Sequence, residues 1–343
     1  MQLNPMKTVA LLDSNWLVRK SYHVTEDLCD DDGNPTGGIF GFLTSIRLLL
    51  QCTRPDHVIA VFDQGISEWR RRVYSGYKDR SEQDPRKEIE RMKHKKAVDW
   101  QIKQLTTELL PYLGIPFVRI PDTEADDLIY VAREKVLSPL KLHTLIVSGD
   151  KDFLQLVRSD TSVYDPTHRK PSNPLQGPQR VTPENFKQVT GFDHPKQYLD
   201  FKAVIGDNSD RIPGIKGVGA VTAGFLLHKF GTLEAVYDDR AAVRKLGRRY
   251  KAVADNGRIV ARNLLLMGLH FKIPSPDEIK AICHKLLNLP SGLDPAKVKS
   301  YCLTKRALDF VSNLPELFQM LREQKDRADK MLSHLTSHEL RSS

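Results

Sequence analysis

Four short apolar runs of β type recur in the first 150 residues: TVALLD (8–13), HVIAVFD (57–63), FVRI (117–120) and TLIVSGD (144–150). Each is continuous, with no alternation of polar and apolar positions, as expected of strands covered on both faces. Between them the apolar period lengthens to that of a helix. It does so over 39–50, over 100–113, where Ile102, Leu105, Leu109 and Leu113 recur, and over 124–137, EADDLIYVAREKVL. Strands alternating with helices predict an α/β fold with a mostly parallel central sheet flanked by helices. From Thr182 onward the pattern is mostly helical, punctuated at Gly191, Pro213, Gly214, Gly217 and Gly219. The expected division is an α/β core over 1–185 and a helical region over 186–343. DPTHRKPSNPLQGPQR (165–180) is too rich in proline and polar residues for regular structure and reads as a connecting loop. The polar tail beyond Lys325 reads as a frayed end.

Charge and cysteine content narrow the classes. The chain of 343 residues carries 52 Lys plus Arg against 43 Asp plus Glu, a formal net charge of +9, which favours a polyanionic partner. Cys29, Cys52, Cys283 and Cys302 lie far apart, with no CxxC pair, so neither a thiolate zinc site nor a disulfide framework is indicated. A reducing, cytosol-like setting is expected. No apolar run approaches the roughly 20 residues that span a bilayer, so no membrane partner is expected.

Three of the predicted strands end in an aspartate: Asp13, Asp63 and Asp150. In open parallel sheets ligands bind beyond the carboxyl ends of the strands, so these side chains could converge on one crevice. Asp152 follows Asp150, and TEADD supplies Glu124, Asp126 and Asp127 at a helix start. Taken singly, each has a bland explanation: acids at a helix start suit the macrodipole, and Asp152 could cap a helix beginning near Phe153. Together they would repel one another unless cations neutralised them. Carboxylate oxygens without His or Cys select Mg²⁺ or Mn²⁺, and a pair of such ions suits in-line phosphodiester hydrolysis. IGDNSDRIPG adds Asp207 and Asp210, which face the same way if the segment is helical. Next comes IPGIKGVGAVTAGFLL, which reads as two short helices joined by a Gly-x-Gly hairpin. Its backbone N–H groups could cradle a phosphate without reading base sequence, although a tight turn with no ligand would look the same.

At this point the motifs resemble a known family. VALLDSNWLVRKSYH, GNPTGGIFGFL, PDHVIAVFDQG, WRRRVYSGYKDR, GIPFVRIPDTEADDLIYVAREKV, LIVSGDKDFLQLV and GDNSDRIPGIKGVG follow one another over about residues 8–240. In this order they are similar to the 5′ nucleases, the flap endonuclease/5′–3′ exonuclease family found as the N-terminal domain of bacterial DNA polymerase I and as free-standing phage enzymes. KRALDFVSNLPELFQML looks like that family's closing helical segment.

The resemblance implies a structure-specific 5′ nuclease acting on 5′ flaps, 5′ ends and RNA/DNA primer hybrids with two or more Mg²⁺ or Mn²⁺ ions, and K⁺ as a further candidate at the hairpin. By resemblance the metal-site acids are Asp13, Asp63, Glu124, Asp126, Asp127, Asp150, Asp152, Asp207 and Asp210. Arg70, Tyr77 and Lys78 become catalytic residues near a helical arch over about 67–100, and Arg71, Arg80, Gly214, Lys216, Gly217 and Gly219 become DNA contacts, the glycines within a helix-hairpin-helix over about 200–240. Between 67 and 100 there are 11 Lys plus Arg against 7 Asp plus Glu, with Trp69, Tyr74 and Tyr77 among them, which suits single-stranded 5′ ends; a solvated surface helix would have the same composition. Two departures from the family pattern stand out. Arg80 falls one position early in YKDRS, and Val221 and Arg211 occupy positions that usually hold Lys and Asn. The expected setting is a monomer in the cytoplasm, bacterial or of a phage host, acting alone or beside a separate polymerase. Two other classes are weaker. A catalytically dead junction-binding module would not need every carboxylate, and toxin-type acidic-site ribonucleases are much shorter.

Overall fold

In the computed structural model, which describes residues 6–81, 84–168, 179–288, 292–305 and 308–342, the central feature is a six-stranded sheet. Its strands are β1 (Thr8–Asp13), β2 (His57–Phe62), β3 (Phe117–Arg119), β4 (His143–Val147), β5 (Thr161–Asp165) and β6 (Gln179–Val181). Their order is β3-β2-β1-β4-β5-β6, parallel except for β6. Val9 lies opposite His57 and Thr8 opposite His143, which centres β1. Successive residues of a strand face opposite sides of the sheet, and here both sides are covered. Val9 and Leu11 enter one hydrophobic core, Ala10 and Leu12 the other. That is why these strands read as unbroken apolar runs.

The helices α1 (Ser14–Val24), α2 (Gly37–Thr53) and α4 (Pro85–Gln104) cover one face. The short α3 (Glu68–Val73) precedes α4, and α5 (Ala125–Val131) lies on the other face. The helix expected over 100–113 is the buried end of α4, which starts fifteen residues earlier and runs on as a wider turn over Leu105–Leu109. Its first turns are largely exposed, so apolar periodicity could not reveal them.

The sequence reading missed β5. Its Thr161 and Ser162 are fully buried polar residues that bond to Arg133 and His143, which dilutes the apolar signal. The proposed loop over 165–180 is bounded by the end of β5 and the start of β6, and 169–178 lie outside the described residues.

The helical half begins with α6 (Phe186–Thr190) and α7 (Pro195–Ile205). A two-stranded ribbon follows, β7 (Gly206–Asp207) and β8 (Ile212–Pro213), and then α8 (Ala220–Phe230). The connection between α7 and α8 is thus longer than a simple Gly-x-Gly turn. The short helices α9 (Leu233–Asp238), α10 (Arg240–Lys245) and α11 (Arg248–Asp255) lead to α12 (Gly257–Met267) and α13 (Pro276–Leu287). The chain closes with α14 (Pro295–Thr304), α15 (Leu308–Val311) and α16 (Leu314–Ser342). The frayed tail expected beyond Lys325 is corrected here. It is part of α16, with Ala328 and Met331 buried. Among the described residues no helix is long and apolar enough to cross a membrane.

Candidate active site

β1 ends on Asp13, β2 is followed by Asp63, and β4 by Ser148, Gly149 and Asp150. These acids sit together because β2, β1 and β4 are neighbours whose carboxyl ends share one edge of the sheet. Asp13 accepts from Ser148 Oγ at 2.8 Å and from the Trp16 backbone N–H at 3.3 Å. Asp63 Oδ1 accepts from the Ala125 N–H at 2.7 Å, which ties the start of α5 to the end of β2. The Asp63 N–H in turn donates to Asn15 Oδ1 at 2.9 Å.

Asp150, rather than Asp152, caps the 3₁₀ turn Lys151–Leu156, accepting from the Asp152 N–H at 2.9 Å. The segment around Asp207 is not helical. Asp207 ends β7, and its carboxylate accepts from the backbone of Ser209 at 2.7 Å and Asp210 at 3.1 Å. A turn, not a helix, therefore brings Asp207 and Asp210 to the same cleft. That cleft, of about 760 Å³, is lined by Asp13, Asp63 and Asp150 from the strand ends, Asp126 from α5, Asp152, and Asp207 with Asp210.

Glu124 and Asp127 are the exceptions. Both are buried behind the cleft against Arg70, whose Nη1 lies 2.7 Å from Glu124 and whose Nη2 lies 2.7 Å from Asp127. Arg70 is only 1 % exposed and also donates through Nε to the Leu266 carbonyl at 3.0 Å. The buried Tyr77 hydroxyl donates to Glu124 at 2.9 Å. Arg70 and Tyr77, read from the sequence as catalytic residues near the arch, thus lie beneath the acidic wall, where the guanidinium neutralises two carboxylates. Lys78 does reach the cleft. Its Nζ donates to Glu124 Oε1 at 2.9 Å and stands 3.9 Å from Asp210. Oxygens of Glu124, Asp126 and Asp127 come within 4.8 Å of one another, but Arg70 already compensates two of the three residues.

Lys202 was not singled out in the sequence. It projects from α7 between Asp152 and Asp207, pairing closely with Asp152 and lying 2.7 Å from Asp207. A lone Lys in the apolar stretch YLDFKAVIG was the available signal, since a buried ammonium needs anionic partners.

The carboxylates outnumber the cations set among them, and the titration of the groups reflects it. Burial, reinforced by the charge of Asp63, pushes the Asp13 carboxyl up to about 7. Burial and then the charges of Asp152 and Asp207 raise Asp210 to about 6, against the pull of Lys78. Desolvation within the cleft and then the charge of Asp152 push Asp150 up to about 8. Burial raises Asp127 to about 7 in spite of Arg70. For Asp126 burial works upward, but the Arg70 and Lys78 charges prevail and hold it below the usual carboxylate range. The Lys202 charge and bond likewise overcome burial and draw Asp207 down to about 2. Lys202 itself is raised because Asp152 and Asp207 outweigh the cost of burying it. A cluster of oxygen donors that resists full ionisation until neutralised fits hard divalent cations such as Mg²⁺ or Mn²⁺.

The expected DNA contacts fall into two groups. Lys216, Gly217 and Gly219 are exposed on the loop before α8, and Arg71 and Arg80 are exposed on and after α3. Arg80 lines the cleft mouth and donates to the Ser209 carbonyl at 3.5 Å. Gly214 also has a packing role. A Cβ there would meet the Ile205 carbonyl oxygen at 2.2 Å, so its lack of a side chain serves the close approach of two chain segments. Val221, where the family pattern has Lys, is 87 % exposed in the first turn of α8.

Residues 8–191 match the 5′–3′ exonuclease N-terminal resolvase-like domain, and 193–285 match the 5′–3′ exonuclease C-terminal SAM fold. A 5′–3′ exonuclease of Aquifex aeolicus is 32 % identical over 231 residues, covering 67 % of this chain and 72 % of the relative. DNA polymerase I of Treponema pallidum is also 32 % identical, over 263 residues, which are 76 % of this chain but only 24 % of that protein. The chain therefore spans about a quarter of that polymerase's length. A structure of the bacteriophage T5 flap endonuclease with DNA and metal ions has the same fold, with a TM-score of 0.59 at 16 % identity, covering 94 % of this chain and 100 % of that one. Two matched domains in sequence order and 32 % identity over 231 residues with a 5′–3′ exonuclease lead to one assignment: the chain belongs to the 5′–3′ exonuclease family.

Proposed function

We propose that this chain is a divalent-metal-dependent, structure-specific 5′ nuclease that hydrolyses phosphodiester bonds at 5′ flaps and 5′ ends of DNA and in RNA/DNA primer hybrids. The observation that carries the reading is the convergence of carboxylates from three strand ends, α5 and the 207–210 turn on one cleft beside Lys78 and Lys202. Asp13, Asp63, Asp126, Asp150, Asp152, Asp207 and Asp210 would hold two or more Mg²⁺ or Mn²⁺ ions. When bound, such ions supply Lewis acidity to an attacking water and to the phosphate.

The chain's own residues do the rest. Ser148 orients Asp13, Lys202 keeps Asp152 and Asp207 together, and Arg70 fixes Glu124 so that Lys78 has an anchor at the cleft mouth. The Lys78 ammonium is suited to stabilise charge building on the scissile phosphate, an effect that strengthens as water is excluded. Net charge +9 and the exposed loop with Lys216, Gly217 and Gly219 support backbone contacts to a duplex arm, with K⁺ as a candidate ion at that loop. We read the chain as acting in the cytoplasm as a monomer.

A labelled 5′-flap substrate with and without Mg²⁺ tests the reading. The double variant Asp150→Asn with Asp152→Asn is expected to lose cleavage by several orders of magnitude yet bind flap DNA within about tenfold of wild type, since affinity resides mainly in phosphate contacts. Near-normal cleavage by that variant would refute the metal assignment.

A further inference from the structure

A second group of ligating side chains lies outside the acidic centre. His23 in the last turn of α1, Glu26 just after it and His94 in α4 each bring one ligand atom to within 4.8 Å of the others. The Glu26 carboxylate is shared between the rings: Oε1 is 3.1 Å from His23 Nδ1 and Oε2 is 3.9 Å from His94 Nε2. The two rings are 5.8 Å apart, and the buried Tyr22 meets His94 edge-on at 5.9 Å, which gives that imidazole a fixed wall. His23 forms part of the outer wall of the acidic cleft, but the carboxylate chemistry there has no use for an imidazole.

Ion pairing alone is a poor account of this arrangement, because exposed pairs contribute about 0–1 kcal/mol and a single carboxylate does not need two imidazoles. Two imidazole nitrogens and one carboxylate oxygen, with open positions left for water, are the donor set of borderline transition metals rather than of Mg²⁺. We infer that His23, Glu26 and His94 form a binding site for a transition-metal ion of the Zn²⁺ class, separate from the acidic centre. Zn–N distances of about 2.0–2.1 Å imply ligand atoms about 3.4 Å apart. The half-exposed side chains can close the remaining gap by rotation about their own bonds. An ion there would brace the end of α1 against α4, beside Arg19 and Lys20 at the cleft mouth. The inference does not depend on the nuclease reading, since it concerns other residues and another class of ion.

The test is Zn²⁺ binding by the full chain, measured by competition with a chromophoric chelator in a large excess of Mg²⁺. Mg²⁺ keeps the carboxylates occupied and does not compete for imidazole. One Mg²⁺-resistant equivalent of Zn²⁺ is expected in the wild type and in the Asp150→Asn, Asp152→Asn variant. His23→Ala and His94→Ala should each weaken it by about 100-fold or more. Co²⁺ in place of Zn²⁺ should give visible absorption of nitrogen-ligated, low-coordinate Co²⁺ that vanishes in the doubly substituted His23→Ala, His94→Ala chain. The inference is overturned if the wild type holds no Mg²⁺-resistant Zn²⁺, if the double histidine variant keeps it, or if the acidic-centre variant loses it.

Discussion

Lys78 enters the cleft from a left-handed backbone conformation, φ 50°, held by its own N–H donating to the Asp210 carbonyl at 2.9 Å. A residue with a Cβ adopts that conformation at a cost of roughly 1 kcal/mol, so the surrounding contacts determine where its ammonium points. Lys78→Ala is expected to lower the single-turnover cleavage rate by roughly 10²-fold with a modest change in flap affinity. Arg80→Ala is the control, because Arg80 donates to the Ser209 carbonyl at the rim and pairs with no carboxylate among the described residues; a normal rate in Lys78→Ala with a slow Arg80→Ala would move the catalytic cation along the arch. Asp13 supports a second expectation. Its carboxyl is raised to about 7 by burial and Asp63, whereas an unfolded Asp titrates near 3.9. Between those values the folded chain holds a proton that the unfolded chain has released, so this contribution is full below about pH 4 and is lost as pH rises through 7. Asp207, drawn down to about 2, runs the other way and loses its contribution only as the solution becomes strongly acidic. Free of divalent cations, the protein should therefore melt roughly 5 °C lower at pH 8 than at pH 5.5, and Mg²⁺ should raise Tm more at pH 8. A Tm that rises with pH in chelator would refute this balance.

At the scale of elements, the hairpin region separates glycines that look alike in the sequence. Gly217 has φ 79° and Gly219 an ordinary extended backbone, and a Cβ at either would meet nothing within 4 Å. Gly219→Val should thus fold and bind a duplex arm more weakly than a short single strand; Gly217→Val should do the same with some loss of Tm, because φ 79° strains any side chain; and Gly214→Ala should lower Tm because its Cβ collides with backbone. Anisotropy titrations on both substrates, with melts alongside, check this; equal losses on both substrates for Gly217→Val would mean a folding defect instead. The same contrast explains how far the sequence could be read. β1, β2, β3 and β4 were legible because both faces of the sheet are covered, while β5 hides behind buried Thr161 and Ser162. Acids at strand ends were legible by position. That Arg70 would hold Glu124 and Asp127 behind the cleft, and that Lys202 would enter it from α7, depended on contacts between residues 50 to 57 positions apart in the chain.

Over the whole molecule, the C-terminal segments strap the helical half back onto the sheet. Lys305 pairs with buried Asp30 at 2.7 Å, and the Asp294 N–H donates to the Tyr112 carbonyl at 2.9 Å. α16 then spans both cores: Leu317, Phe318 and Leu321 belong to one and Met331 to the other. On the way Gln324 donates to the Asp56 carbonyl at 3.1 Å, and Arg327 donates to that of Pro55 at 3.2 Å. Residues 55 and 56 precede β2, so these contacts grip the amino end of the sheet, whereas the acidic cleft occupies its carboxyl end. Stability and chemistry should therefore separate on truncation. A chain ending at Lys325 loses the buried Ala328 and Met331 and both Arg327 bonds, a deficit of roughly 3 kcal/mol by comparison with buried Met→Ala changes. It should melt roughly 6 °C or more below the full chain, yet cleave a flap at an unchanged single-turnover rate at low temperature. If the tail were a frayed end, Tm would not move. If the rate fell with Tm at a temperature where the truncated chain is still fully folded, the amino and carboxyl ends of the sheet would be coupled in a way these contacts do not provide.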